Sequence, residues 1–295
     1  MRTNRLGRQM GQGTRRWLIG LGTAAVVGTS VLGQAQLAGA ASARPGTRLA
    51  SGQVSSSVLA RSQVPGSVYV PTNQYLVFGD RGPAVRALQE RLNFLHYYPG
   101  KIDGYFGWAT MEAVWAFKEV QTGTWRPGNP NIVGPTMQRL LLHPRLPKVL
   151  FPHGGRSRIE INKRTEVLVV YQYTTKIVLI SHVSTADYSR PDGTGWVTPD
   201  GRYRAWEYLP GCVPDATFGG CLYNPVFFIG TAFAIHGMPN PTQTFSYDGV
   251  PLNPASHGCV RIPIDVSLIL HKLIRVGPTS GSPIYIAGPA ALSWP

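Results

Sequence analysis

A cysteine attacks a carbonyl as its thiolate, so it needs an imidazole to take the proton and backbone N–H groups aimed at the oxyanion that forms. Two short stretches hold these parts: Ser256-His257-Gly258-Cys259-Val260-Arg261 and Ile235-His236-Gly237. Cys259 is the candidate nucleophile, and His236, ending a strand-like run, is the candidate base that meets it across the fold. Gly258 lets the backbone approach a substrate closely, and the N–H groups of Gly258 and Cys259 are candidate oxyanion donors. The chain has three cysteines, and an odd number leaves one thiol unpaired. Cys212 and Cys221 flank the Gly- and Pro-containing stretch 213–220, the ends of a loop that a disulfide can close, so Cys259 is expected to stay free. Cysteine beside histidine also raises zinc. Neither H-E-x-x-H nor C-x-x-C occurs, and eight residues stand between Cys212 and Cys221, so no metal and no cofactor is expected. His182 has only its place before Val183-Ser184 to recommend it and is read as structural.

These residues need a scaffold, and from Arg158 onward the pattern is alternation: Ile159 and Ile161, then Val167, Val169 and Tyr171, then Ile177, Leu179 and Ser181. That period predicts half-buried strands, with turns at Asn162-Lys163 and Thr174-Thr175. Further strand-like runs cover 202–208, 225–229, 232–236 and 283–287, and one helix is expected over 264–276. The sum is a mostly β, sandwich- or barrel-like domain with one main helix. Before it, the spacing turns helical. Val85, Leu88, Leu92 and Leu95 form one stripe. Ala113, Val114, Ala116, Phe117 and Val120 form a second, with Thr110 as its expected N-cap, and Gly134-Pro135-Thr136 opens a third helix through Leu142. The fold class expected is therefore mixed, a small three-helix bundle over 77–146 followed by the β domain.

At 295 residues the chain has room for about two domains, and 43% hydrophobic content supplies a packed interior. Only 14% of residues are charged, which excludes charge-driven disorder, and 34 Gly with 25 Pro but no Gly-X-Y period exclude collagen. Arg2, Arg5, Arg8, Arg15 and Arg16 precede a stretch without charge from Trp17 to Ala43. This reads as an export signal over 1–43, with A-x-A type cleavage sites at Ala38 and Ala40 or Ala41 and Ala43 and an uncleaved N-terminal anchor as the alternative. A flexible linker is expected over 44–76. Export makes nucleic acid an improbable partner and places the cysteines in an oxidising space; of the net charge of +14, the five leader arginines serve addressing, and the +9 that remains fits a polyanionic partner.

Two resemblances sharpen these expectations. The stretch from 77 to 146 resembles the three-helix peptidoglycan-binding domain through Val85-Arg86-Ala87-Leu88-Gln89, Asp103-Gly104-Tyr105-Phe106-Gly107, Thr110, Ala113-Val114, Phe117 and Val133-Gly134. It departs from that pattern at Lys118 and in the extended segment Trp125 to Pro130. Residues 157–288 resemble the L,D-transpeptidase catalytic domain of the YkuD type through Val183-Ser184-Thr185-Ala186, Thr198-Pro199-Asp200-Gly201, Tyr223-Asn224-Pro225, His236 and Ser256-His257-Gly258-Cys259, in the family's order. The resemblance implies that Cys259 is the nucleophile, His236 the base and then acid, and His257 an orienting partner, with the Gly237 carbonyl fixing the His236 tautomer. Ser256, Arg261 and Tyr223 are the expected substrate contacts. Arg261 stands where many members have Asn and either grips a substrate carboxylate or braces its loop. Nineteen residues separate His236 from Ser256, so 239–254 is expected to form a longer loop over the site. The implied partners are peptidoglycan stem peptides and glycan, with carbapenem-type inhibitors at the same cysteine, in an exported, wall-associated or extracellular enzyme. Hydrolysis of stem peptides and binding without catalysis are the alternatives.

Overall fold

Pro83 and Pro135 sit where a helix has no use for an N–H, and each opens a helix in the computed structural model, which describes residues 69–155, 157–189, 195–215, 217, 219–238 and 250–288. The expected signal at 1–43, the linker through 68 and most of the expected loop, 239–249, lie outside the described residues. In chain order the helical module contains β1 (Leu76–Val77), α1 (Pro83–Phe94), α2 (Trp108–Thr122), β2 (Ile132–Val133) and α3 (Pro135–Leu140). Two expectations change here. Residues 69–76 belong to the module and not to a linker: Tyr69 and Leu76 are buried, and the Thr72 N–H donates to Gln138 Oε1 at 2.7 Å. They leave no helical stripe because the Gln138 side chain, which also accepts from the Thr72 hydroxyl and donates to the Gln74 carbonyl, and the two-residue pairing of β1 with β2 hold them. Thr110 does not cap α2, which starts at Trp108 behind Gly107; its buried hydroxyl accepts from Gln89 Nε2 at 3.0 Å. Lys118 donates to the carbonyls of Asn129 and Ile132, so the two departures from the helical pattern meet as one staple on the segment before α3.

The β domain continues with β3 (Arg158–Asn162), β4 (Val167–Gln172), β5 (Lys176–His182), β6 (Asp187–Ser189), β7 (Gly195–Val197), β8 (Gly201–Arg204), β9 (Glu207–Tyr208), β10 (Cys212–Pro214), β11 (Cys221–Ile229), β12 (Phe233–Gly237), β13 (Val260–Ile262), α4 (Ile264–Leu273) and β14 (Pro283–Ala287). Among the described residues one sheet has the order β5-β4-β3-β14-β8, and a second runs β10-β11-β12-β13 with β9 beside β11. Ile159, Ile161, Leu168 and Val170 of the first sheet pack with Val226, Phe228, Ile235, Val260 and Ile262 of the second, and α4 adds Val266 and Leu270. The fold is a small helical module followed by a β-rich domain with one main helix.

The strand β4 departs from the half-buried pattern, and the departure matters for the site. Leu168 and Val170 enter the core between the sheets, while Val167, Val169 and Tyr171 join Ile180 of β5 in a core shared with Leu88, Val114 and Phe117 of the helices. Both faces are covered, as the unbroken apolar run Val167-Leu168-Val169-Val170-Tyr171 allows. Module and sheet therefore share one hydrophobic interior, with α2 lying against β5.

Candidate active site

Parallel pairing of β12 with β13 sets Ile235 opposite Val260, His236 opposite Arg261 and Gly237 opposite Ile262. Cys259, one residue before β13, thereby falls beside Ala234, whose N–H donates to Cys259 Sγ at 3.4 Å. Side chains alternate along a strand, so positions 234 and 236 lie on one face of β12, and the register brings the sulfur to the strand that presents His236.

His236 is buried, and its Nδ1 lies 3.0 Å from the Gly237 carbonyl. A carbonyl only accepts, so Nδ1 carries the proton and Nε2 keeps its lone pair. Burial holds the imidazole down at about 4, which leaves it neutral at physiological pH. Burial likewise pushes the Cys259 thiol up, against smaller opposing effects of the Ala234 N–H and the Arg261 charge. At rest the two groups are a neutral thiol and a neutral imidazole, an arrangement that can pass the proton during attack on a carbonyl. Turnover should thus fall as pH drops through about 4, where His236 is protonated and no longer a base. Alkylation of Cys259 by iodoacetamide should keep rising beyond pH 9.0, the ordinary thiol value. A rate that saturates below neutrality would instead reveal a preformed thiolate and imidazolium.

The turn around Cys259 is built from the inside. Ser256 Oγ donates to the Cys259 carbonyl at 2.6 Å and accepts from the Gly258 N–H at 3.1 Å. This corrects two expectations. Ser256 is 3% exposed with its hydroxyl used within the turn, so it is a brace and not a substrate contact. The Gly258 amide is taken, which leaves the Cys259 N–H, without an acceptor among the described residues, as the donor for an oxyanion. Gly258 is nonetheless indispensable to the geometry: its φ is +126°, and a Cβ there would lie 2.0 Å from Phe233 Cε1. Arg261 Nη1 donates to the Ala255 carbonyl at 2.8 Å, so it braces the loop. His257 is exposed, its ring edge-on to exposed Trp196 with centroids 5.3 Å apart. Tyr223 pairs with Gly237 on one side and with Cys212 on the other, next to the carbonyl that fixes His236.

Several supporting residues have no assignment from sequence. Thr198 Oγ1 donates to the Gly258 carbonyl at 3.0 Å and accepts from the Ala186 N–H. Ser184 Oγ donates to the Asn253 carbonyl at 2.7 Å and accepts from the Ala255 N–H, and the Thr185 carbonyl accepts from the Ser256 N–H at 3.1 Å. Buried Glu166 holds Thr185 by both its N–H and its hydroxyl. On the other side Asn224, at φ +49°, donates to Ser267 Oγ at 3.1 Å, and Ser267 lies where a side chain on Gly237 would have to go. The motif Val183-Ser184-Thr185 and the dipeptides around Thr198 and Asn224 are the signals that mark these positions, yet only the fold shows their partners. Among the described residues no group of three His, Cys, Asp or Glu gathers as a metal site.

Cys212 and Cys221 form a disulfide, Cα atoms 5.2 Å apart, and Cys259 is a free thiol. The bridge closes the β10–β11 hairpin, next to the Tyr223 register. Thiol counting on denatured, unreduced protein should find one thiol, mapped to Cys259, and reduction should cost roughly 2 to 3 kcal/mol of stability by loop entropy. A Cys259 bridged to either partner in active protein would contradict both assignments.

Residues 81–121 match the family model of a peptidoglycan binding domain, and residues 156–286 match the model of the YkuD L,D-transpeptidase catalytic domain. A crystal structure of an L,D-transpeptidase from Xylanimonas cellulosilytica DSM 15894 is similar over 74% of this chain and 100% of that chain, at 27% identity and a TM-score of 0.58. An L,D-transpeptidase from Stackebrandtia nassauensis covers 74% of this chain and 97% of its own at 16% identity, with a TM-score of 0.39. Among curated proteins none matches the chain.

Proposed function

Because the catalytic domain of this chain belongs to the YkuD family of L,D-transpeptidases and sits beside a peptidoglycan-binding module, we propose that Cys259 carries a peptidoglycan stem as a thioester and passes it to an amine. The observation that carries this reading is the tautomer of His236: with Nδ1–H held by the Gly237 carbonyl, Nε2 is free to take the thiol proton. Cys259 Sγ then attacks the carbonyl of the third stem residue, and the oxyanion meets the Cys259 N–H. His236 returns the proton to the leaving nitrogen, D-alanine departs, and the thioester remains. An acceptor amine gives its proton to the same Nε2 as it attacks, and the collapse restores the thiol. An amine from a second stem yields a crosslink between the third residues of two stems; a protein lysine would yield attachment to the wall.

The basic, then uncharged leader and the oxidised cysteine pair support export to the wall, where this substrate lies. Mass spectrometry of muropeptides incubated with the full chain tests the reading. A new dimer with released D-alanine supports transfer, shortened monomers alone mean hydrolysis, and unchanged muropeptides mean binding without catalysis. A carbapenem should acylate the same sulfur, because its strained lactam carbonyl replaces the stem amide. Intact mass should then rise by one inhibitor, mapped to Cys259; an adduct on a serine, or none on active enzyme, would contradict the assignment.

A further inference from the structure

Between Val250 and Ser256 the chain is fastened at almost every step, and the fastenings come from two sides. From Asn253 to Ser256 they come from Ser184 and Thr185, as described above. Ahead of that they come from the helical module. Glu112 of α2, buried, accepts from the Val250 N–H at 2.7 Å. Glu119, two turns further along α2, lies with its carboxylate oxygens 3.0 and 3.1 Å from His182 Nδ1, and His182 Nε2 lies 3.0 Å from the Pro251 carbonyl. Leu252 packs on the helical core, and Val250 is buried.

The proton count in this relay follows from the acceptors. The Pro251 carbonyl cannot donate, so Nε2 bears a hydrogen, and one further proton is shared between Nδ1 and the Glu119 carboxylate. Either placement leaves Glu119 and His182 neutral as a pair, which suits two fully buried groups. Burial pushes Glu119 up and His182 down, in keeping with that neutrality.

We propose that Glu112 and Glu119, with His182, are positioning residues for the transfer reaction: they anchor Val250 and Pro251, and through the strap 250–256 they set the Ser256-His257-Gly258-Cys259 turn against His236. The inference rests on the reaction proposed above. It makes α2 part of the machinery that shapes the active site, beyond any role of the module in holding peptidoglycan.

The test uses the full chain with Glu112→Gln, Glu112→Asp, Glu119→Gln and Glu119→Ala. Two readouts are taken on each: kcat and KM for D-alanine release from a tetrapeptide stem, and the rate of Cys259 alkylation by iodoacetamide. Gln at 112 still accepts from the Val250 N–H, and Gln at 119 donates to Nδ1 while Nε2–H stays on Pro251, so both should keep kcat within about threefold. Asp at 112 falls short of Val250, and Ala at 119 releases His182; each should lower kcat about 10- to 100-fold with KM nearly unchanged, and alkylation should slow in parallel. A folded Glu112→Asp or Glu119→Ala with wild-type kcat and alkylation would overturn the proposal, as would Gln variants as impaired as these. If Glu119→Ala does not fold, the contrast between Asp and Gln at 112 decides alone. A wild-type chain that alkylates at Cys259 but releases no D-alanine would instead sink the reaction, and the alkylation rates would still judge the positioning.

Discussion

Replacing Cys259 or His236 by Ala is expected to remove product formation by a factor on the order of 10⁴ or more, and replacing both should cost little beyond the worse single change. The reason is that neither group is active by itself. Burial keeps the thiol protonated at neutral pH, and in the proposed reaction the Nε2 lone pair, left free by the hydrogen bond from Nδ1 to the Gly237 carbonyl, removes that proton during attack. Once the base is gone the thiol is inert, and once the thiol is gone the base has no partner. The measurement is D-alanine release from a tetrapeptide stem by each variant, with thermal melts to show that the fold persists. Cys259 is half-buried and its truncation removes a single sulfur atom, so its melting curve should move little. Additive losses in the double variant would mean that the two side chains act separately, and wild-type turnover by Cys259→Ala would end the assignment.

Gly258→Ala is expected to be nearly as damaging without touching any reacting group. Two independent penalties act there. The backbone at φ +126° is open to glycine and strained for alanine by about 1–3 kcal/mol. The new methyl would also overlap Phe233 Cε1, 2.0 Å from the Cβ position, so either the ring or the turn must shift. The Gly258 carbonyl is tied to Thr198 and its N–H to Ser256, so a shift of the turn moves the Cys259 N–H away from the developing oxyanion. A displacement of about 1 Å is enough to lower the rate on the order of 100-fold. Pairing Gly258→Ala with Phe233→Ala separates the two causes: part of the loss should return as the overlap is removed, and the backbone part should remain. Full recovery in the pair would show that the φ angle is unimportant, and full activity of Gly258→Ala alone would refute the geometry.

The parts of the proposed chemistry that lie close together in the chain stand out in its sequence. Cys259, His236 and Gly237 lie in short motifs, and strand alternation fixes which of their positions share a face. The lone cysteine follows from parity, since Cys212 and Cys221 sit at the ends of one hairpin. What escapes is what joins distant positions. Glu119 and His182 are 63 residues apart, and Glu112 and Val250 are 138 apart. A buried carboxylate in a helix and a histidine ending a strand give no sign of one another, and His182 reads as mere structure. Ser256 escapes for a different reason: its motif advertises reactivity, while its hydroxyl faces inward to brace the turn. The strand β4 is misread because Val167, Val169 and Tyr171 look like one buried face, and only packing against α2 reveals that the other face is buried too.

The most direct test of the thioester account is intact-mass spectrometry of the full chain quenched in acid during turnover of a tetrapeptide stem with no acceptor amine present. The account predicts an adduct equal to the stem without its terminal D-alanine, released by hydroxylamine and mapped by digestion to Cys259, and absent from Cys259→Ala. Turnover with no adduct at any time point, or an adduct on Ser256 or another hydroxyl, would contradict it.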